Sequence, residues 1–217
     1  MTEALWKLDA GETAARIAGR EISAVEVVDT HLSRLDVVNP ALNAITRPLH
    51  ESARAQAKVA DAALARGDML GALHGVPVTI KDNIDIAGQS SPNGLPALKD
   101  MVAEANSPVV DNLLRAGAIV IGRTNAPEFS LRWHTDNPLF GATVNPWNPE
   151  WTPGGSSGGA LASLSAGVGC LAHGNDLGGS VRYPAYCTGL ATIRPTQGRI
   201  PAFNPTAKEE RPPLMLL

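Results

Sequence analysis

The short, β-branched, apolar run VPVTI at 76–80 constrains the fold most, because such a stretch is stable as a strand only when both of its faces are covered. Lys81 follows directly and ends the run. AIVIG at 118–122 has the same character, and CLAHG at 170–174 and GLATI at 189–193 read as further strands. Helical patterns lie between these runs. In SAVEVVDTHLSRLDVVNP, Ser23 and Glu26 stand at capping-box spacing, Val25, Val28, Leu32 and Leu35 share one face, and Pro40 predicts the stop. An Ala-rich segment from Glu51 to Leu64 closes near Gly67, which suits a left-handed cap. Ser107-Pro108 reads as an N-cap with proline at the first helical position, and that helix is expected to end at Gly117. ALASLSAGV at 160–168 reads as a helix of small residues packed closely on a neighbour. Helices alternating with apolar strands predict an α/β layered fold around a largely internal sheet, with no linker and no internal repeat.

Composition narrows the function classes. With 44% hydrophobic and only 4% aromatic residues, and with 21 glycines and 17 prolines in 217 residues, the chain is globular, with a small-residue, aliphatic core and many turns. Eighteen basic against 21 acidic residues give a net charge of −3, so nothing draws the protein toward nucleic acid or an anionic membrane, and a small neutral or mixed substrate fits better. Cys170 and Cys187 form no metal-like spacing and are too few for a disulfide framework, so both read as buried thiols in a reducing compartment. The charged beginning MTEALWKLDAGE lacks the apolar run of a signal peptide, and no segment is long enough to span a bilayer, so a cytoplasmic protein is expected.

Residues 124–159 are dense in Pro, Asn, Gly and Trp, the composition of a loop that shapes a binding surface. They end in GGSSGG, 154–159, and DLGGSVRYP follows at 176–184. A flexible linker explains the first of these stretches alone and not the second. Glycines beside a serine let backbone N–H groups converge on one point, where they can stabilise an oxyanion. DLGGSVR therefore admits two readings, a tight turn before a strand or a nucleophile, Ser180, seated beside N–H donors. A serine nucleophile needs a base. The five histidines are scattered and none has metal spacing; His134, in the irregular stretch, is the one placed to touch a substrate. Lys81, carried inward by its strand, would lose solvation and become a neutral amine, although a lone lysine is more often a solvated surface residue. Two motif matches are discounted. GSSGG, 155–159, centres a G-x-S-x-G pattern on Ser157 but follows WTPG rather than a strand, and GVGCLA, 167–172, follows a helix and enters a strand, the reverse of dinucleotide-binding order. No Walker motif or metal cluster is present in the sequence.

In order along the chain, GVPVTIKDN at 75–83, NPWNPEWTPGGSSGG at 145–159 and DLGGSVRYPA at 176–185 resemble the amidase signature family, and the similarity runs from the early helices to RPTQGRIP at 194–201. The resemblance implies a mixed central β-sheet covered by helices, no cofactor and no metal. It implies a Ser–cis-Ser–Lys triad with Ser180 as nucleophile, Ser156 as bridging serine in a cis peptide and Lys81 as base. The N–H groups of Leu177, Gly178, Gly179 and Ser180 would form the oxyanion hole, and Asp176 and Arg182 would brace the loop. Where this chain has Asn175 the family commonly has Ser or Thr, which leaves the bracing there open. Family members also continue well beyond residues 194–217, so the resemblance implies the N-terminal part of one amidase domain, mainly helical over 1–70 and carrying the catalytic motifs over 71–217. The apolar ending RPPLMLL agrees with a truncated chain whose uncovered faces invite a second copy or a complementary C-terminal chain. Three readings follow: an amidase releasing ammonia from a small-molecule amide through an acyl-enzyme, the glutaminase-type component of a tRNA-dependent amidotransferase, or an inactive fragment. WHTDNPLFG at 133–141 favours the stand-alone enzymes, and the substrate amide is not assigned.

Overall fold

In the computed structural model, which describes residues 4–207, the apolar run at 76–80 lies wholly inside the molecule. The described chain runs α1 (Ala10–Ala18), α2 (Ala24–Leu42), β1 (Ile45–Pro48), α3 (His50–Arg66), β2 (Pro77–Lys81), α4 (Pro108–Arg115), β3 (Ile119–Thr124), α5 (Gly158–Ser165), β4 (Leu171–His173) and α6 (Arg182–Thr188). Four strands form one mixed sheet in the order β1-β3-β2-β4. β2 is parallel to β3, with Val78 opposite Val120 and Lys81 opposite Thr124, and parallel to β4, with Val78 opposite Leu171 and Ile80 opposite His173. β1 closes the far side antiparallel to β3.

Both faces of the sheet are covered, which is what uninterrupted apolar strands require. Val78, Ile80 and Val120 pack into one layer with Val109 and Val110 of α4. Ile119 and Ile121 pack into the other with Val28 and Leu32 of α2 and Ala53 and Ala57 of α3. Each such fully buried branched side chain contributes roughly 1.5–3 kcal/mol. Strand alternation then sends Thr79 and Lys81 of β2 away from the α4 layer. α5 reaches the sheet closely because it is built of small residues. A Cβ on Gly159 would lie 2.5 Å from the Asn125 nitrogen and 2.7 Å from the Ala44 carbonyl oxygen.

The helix boundaries follow local chemistry. The Ser23–Glu26 capping box opens α2, and Asp61 from α3 adds its carboxylate to the N–H groups of Ala24 (2.7 Å) and Val25 (3.1 Å). Gly67 ends α3 in the left-handed region. Pro40 does not stop α2, which continues to Leu42 and closes on left-handed Asn43. Pro40 is exposed, and so is Asp36 one turn before it, whose carbonyl the proline leaves without an amide partner. GLATI is not a strand: Gly189 is the left-handed cap of α6, and residues 189–193 run at the surface with no strand to pair with among the described residues. Ser107 precedes α4 without capping it through its side chain and donates its hydroxyl to the Phe203 carbonyl (2.7 Å). Both cysteines are half-buried rather than buried. No helix among the described residues is long and apolar enough to cross a membrane, and no cluster of metal-ligating side chains occurs among them. RPPLMLL lies outside the described residues.

Candidate active site

β2 delivers Lys81 to its carboxyl end, where the side chain is fully buried. Its Nζ donates to Ser156 Oγ at 2.7 Å and to Asn175 Oδ1 at 2.6 Å. Lys81, Ser156 and Asn175 belong to three separate segments: the strand end, the loop entering α5 and the loop leaving β4. The Gly155–Ser156 peptide is cis. Glycine at 155 is a packing requirement, since a Cβ there would lie 2.6 Å from both the Arg132 carbonyl oxygen and the His134 nitrogen. Thr135 pins the same loop by donating to the Gly154 carbonyl (2.9 Å) and accepting from the Gly158 N–H (3.0 Å). GGSSGG is thus a tightly held turn whose glycines allow backbone to pack on backbone.

The loop after β4 is organised by one carboxylate. Asp176 accepts from the N–H groups of Gly179 (2.7 Å), Val181 (3.1 Å) and Arg182 (3.2 Å) and from the Arg182 guanidinium (2.9 and 3.0 Å), and its carbonyl accepts from Arg194. Burial alone would push the Asp176 carboxyl up, but the bonds from Arg182 and from the three N–H groups outweigh it and hold the group well below the usual carboxylate range. Because the Gly179 N–H is already engaged by Asp176, Leu177, Gly178 and Ser180 are left as the candidate donors of an oxyanion hole.

Ser180 is buried, and its carbonyl accepts the Ser157 N–H at 3.0 Å, which ties the two serine loops together. Ser156 and Ser180 share a cavity of about 70 Å³ with Asn175, and Phe129, Leu131 and Leu177 give it an apolar side. The two hydroxyls form no hydrogen bond with each other among the described residues. Ser157, discounted from the sequence, is fully buried and donates to the Asn175 carbonyl at 3.4 Å. His134 is exposed, sits against Thr152 Oγ1 at 2.9 Å and does not line this cavity.

The sequence motifs mark neither Asn175 as an acceptor for Lys81 nor Arg123 as a site residue. The Arg123 side chain is fully buried, and its Nη2 donates to the carbonyls of Asp82 (2.9 Å), Ile84 (2.6 Å) and Lys81 (3.4 Å), gripping the turn that follows the lysine. An arginine inside the apolar run AIVIGRT was the available signal. Burial pushes the neighbouring Asp82 carboxyl up to about 6, with Arg123 and Arg47 opposing. His173, on β4, is lowered to about 4, first by burial and then by the charge of Lys81, so its imidazole is neutral at physiological pH.

The Amidase family model matches residues 26–210. An indoleacetamide hydrolase from Bradyrhizobium diazoefficiens is 57% identical over 97% of this chain and 40% of its own length. A glutamyl-tRNA(Gln) amidotransferase component from Synechococcus sp. (strain WH7803) is 41% identical over 89% of this chain and 40% of its own. Among solved structures, a bacterial aryl acylamidase of the amidase signature family superposes with a TM-score of 0.79 at 35% identity, covering 83% of this chain and 37% of that one. The chain spans about 40% of the length of the curated relatives it matches.

Proposed function

The chain belongs to the amidase family, and from that premise we propose that it hydrolyses a carboxylic amide to carboxylate and ammonia through an acyl-enzyme on Ser180. The observation that carries the reading is the 2.7 Å contact of buried Lys81 with Ser156, on a loop whose cavity also holds Ser180. Lys81, as a neutral amine, takes a proton from Ser156 Oγ while Ser156 takes one from Ser180 Oγ. Ser180 Oγ then bonds to the amide carbonyl carbon, and the N–H groups of Leu177, Gly178 and Ser180 receive the oxyanion. The relay returns the proton to the leaving nitrogen, ammonia departs, and water attacks the ester by the same route to release the carboxylate. Relay contacts that are long in the free protein tighten once substrate is bound, so the absent Ser156–Ser180 bond is compatible with this path. Asp176 and Arg182 hold the nucleophile loop in shape.

For the substrate we favour a primary amide with an aryl-bearing acyl group. The indoleacetamide hydrolase relative supports this, as do Phe129, Leu131 and Leu177 on the apolar side of the cavity. The higher identity to that hydrolase than to the amidotransferase component favours stand-alone amide hydrolysis over a glutaminase role. A complementary stretch of chain, on the same or a second polypeptide, would complete the acyl pocket.

The test is intact-mass analysis after treatment with a serine-reactive fluorophosphonate, with peptide mapping. A single adduct at Ser180 that is lost in Lys81→Ala is expected. An adduct on a different serine, or labelling of Lys81→Ala at the wild-type rate, overturns the triad. Labelling that appears only when a complementary chain is added assigns the chemistry to the assembled pair.

A further inference from the structure

We propose that Asn175 is a positioning residue for Lys81, its amide oxygen aiming the lysine nitrogen at Ser156 and favouring the ammonium over the amine. The inference rests on the amide-hydrolase reading above and adds a control on its base. Asn175 Oδ1 lies 2.6 Å from Lys81 Nζ, across 94 residues of sequence. The residue is itself fixed to the serine loop, because its backbone carbonyl accepts the Ser157 hydroxyl. It lines the cavity that holds Ser156 and Ser180 and also a smaller one beside His173.

An amide oxygen has lone pairs and no proton, so toward Lys81 it can only accept. As an ammonium, Lys81 can donate to Ser156 and Asn175 at once. As an amine it has one lone pair, which must face Ser156 if it is to take that proton. An N–H held by Asn175 restricts rotation about the Cε–Nζ bond and so aims the lone pair. The same carbonyl dipole, oxygen end toward the nitrogen, stabilises the positive charge and works against burial, which favours the neutral form.

Other charged and titratable groups among the described residues stand on the elements that carry Lys81 and its partners. On β2's own extension Asp82 is buried with both carboxylate oxygens unpartnered among the described residues, and on β3 Arg123 spends its donated bonds on backbone carbonyls, that of Lys81 included. On β4 His173 is neutral at physiological pH. After β4, the Asp176 carboxylate is bonded to its own loop and to Arg182. α5, GGALASLS, carries no titratable side chain.

The experiment follows the ¹⁵N shift of the Lys81 side chain through a pH titration in the full chain, with the signal assigned by its loss in Lys81→Arg, for wild type, Asn175→Asp, Asn175→Ala and Asn175→Thr. The rate of fluorophosphonate labelling at Ser180 is recorded on the same samples. Asn175→Asp is expected to raise the lysine midpoint by about one pH unit or more and to slow labelling near neutrality at least about tenfold. Asn175→Ala is expected to lower the midpoint and also to slow labelling, through loss of aim. Asn175→Thr, which restores an acceptor, is expected to return the midpoint toward wild type. Purely structural damage would not move the Asp and Ala midpoints in opposite directions. Equal midpoints in wild type and Asn175→Ala overturn the proposal even if Asn175→Asp does not fold. Midpoints that shift as expected in a chain that never labels at Ser180 refute the amide-hydrolase reading while leaving the placement of Asn175 intact.

Discussion

Replacing Asp176 by Asn keeps the shape of the side chain and removes its charge. Oδ1 accepts from the Gly179 N–H and Arg182 Nη2, and Oδ2 accepts from the N–H groups of Val181 and Arg182 and from Arg182 Nε. Whichever way an Asn amide is turned, its NH₂ faces donors. At least one backbone N–H at this buried position then loses its acceptor, and the others exchange a carboxylate for a weaker neutral oxygen. One lost charge-assisted bond and the weakening of the rest come to roughly 2–4 kcal/mol of stability at Asp176. The pH dependence has a definite sign. The folded carboxyl titrates below its unfolded value of about 3.9, so its contribution is fully present above that pH and is lost as pH falls through the folded value. Urea unfolding followed by the fluorescence of the four tryptophans should show a gap between wild type and Asp176→Asn that is flat from about pH 5 to 8 and shrinks only below about pH 4. A gap under about 0.5 kcal/mol at neutral pH, or one that has vanished by pH 5, would refute the carboxylate's role as organiser of this loop.

Asp82 gives the opposite slope. Its folded carboxyl is raised to about 6, so wild-type stability is lost as pH rises from about 4 to 6, and Asp82→Asn should gain on wild type by up to about 3 kcal/mol across that window in the same unfolding assay. A difference that does not change with pH would contradict the placement of that buried charge. Two glycines should behave differently. A Cβ on Gly178 meets no atom within 4 Å, so Gly178→Ala, which keeps its N–H, should unfold within about 1 kcal/mol of wild type, whereas Gly155→Ala, driven into the backbone of residues 132–134, should cost several times more, about 3 kcal/mol or above. Similar midpoints for the two variants would disprove the close packing at Gly155. At the start of α2, Asp61→Ala removes the acceptor for the Ala24 and Val25 N–H groups and should lower stability by about 1 kcal/mol, read from the same curves.

What the sequence made legible was decided locally. VPVTI needs cover on both faces whatever its neighbours are, so the strand was readable and Lys81 could be placed at its end. The Ser23–Glu26 box and Gly67 act within one helical turn, and both behave as their spacing predicts. The misses concern partners. GLATI has the composition of a strand, but a strand exists only where another strand lies beside it. β1, ITRP, has no distinctive pattern and is a strand because β3 is next to it. A missing N–H weakens a helix and predicts a stop at Pro40, yet at an exposed position one turn from the end that defect is tolerated. Asn175 and Arg123 owe their roles to contacts 94 and about 40 residues away in sequence, which no local rule encodes. The amidase motifs placed Ser156 and Ser180 in loops of known kind, but that the Gly179 N–H would be taken up by Asp176 depends on how the loop closes.

Sheet order explains why these groups meet where they do. From β2 the chain crosses to β3 on one side, and the next crossover returns it to β4 on the other, with all three strands parallel. Between β2 and β4 the connections therefore diverge, opening a crevice beyond the carboxyl ends of the strands, the place where α/β sheets of this kind bind ligands. Lys81 ends β2, Asn175 and Asp176 follow β4, and the serine loop enters α5 over the same end. The close approach of that loop depends on Gly155 and Gly159, where a side chain would strike backbone. The polar end of the cavity is thus fixed by strand ends and backbone packing. Its apolar end is formed by Phe129, Leu131 and Leu177, all exposed side chains outside the α-helices and strands. On the proposed function, substitutions at those three positions should change which amide is preferred without abolishing reaction at Ser180, because they leave every contact of Lys81 with Ser156 and Asn175 in place.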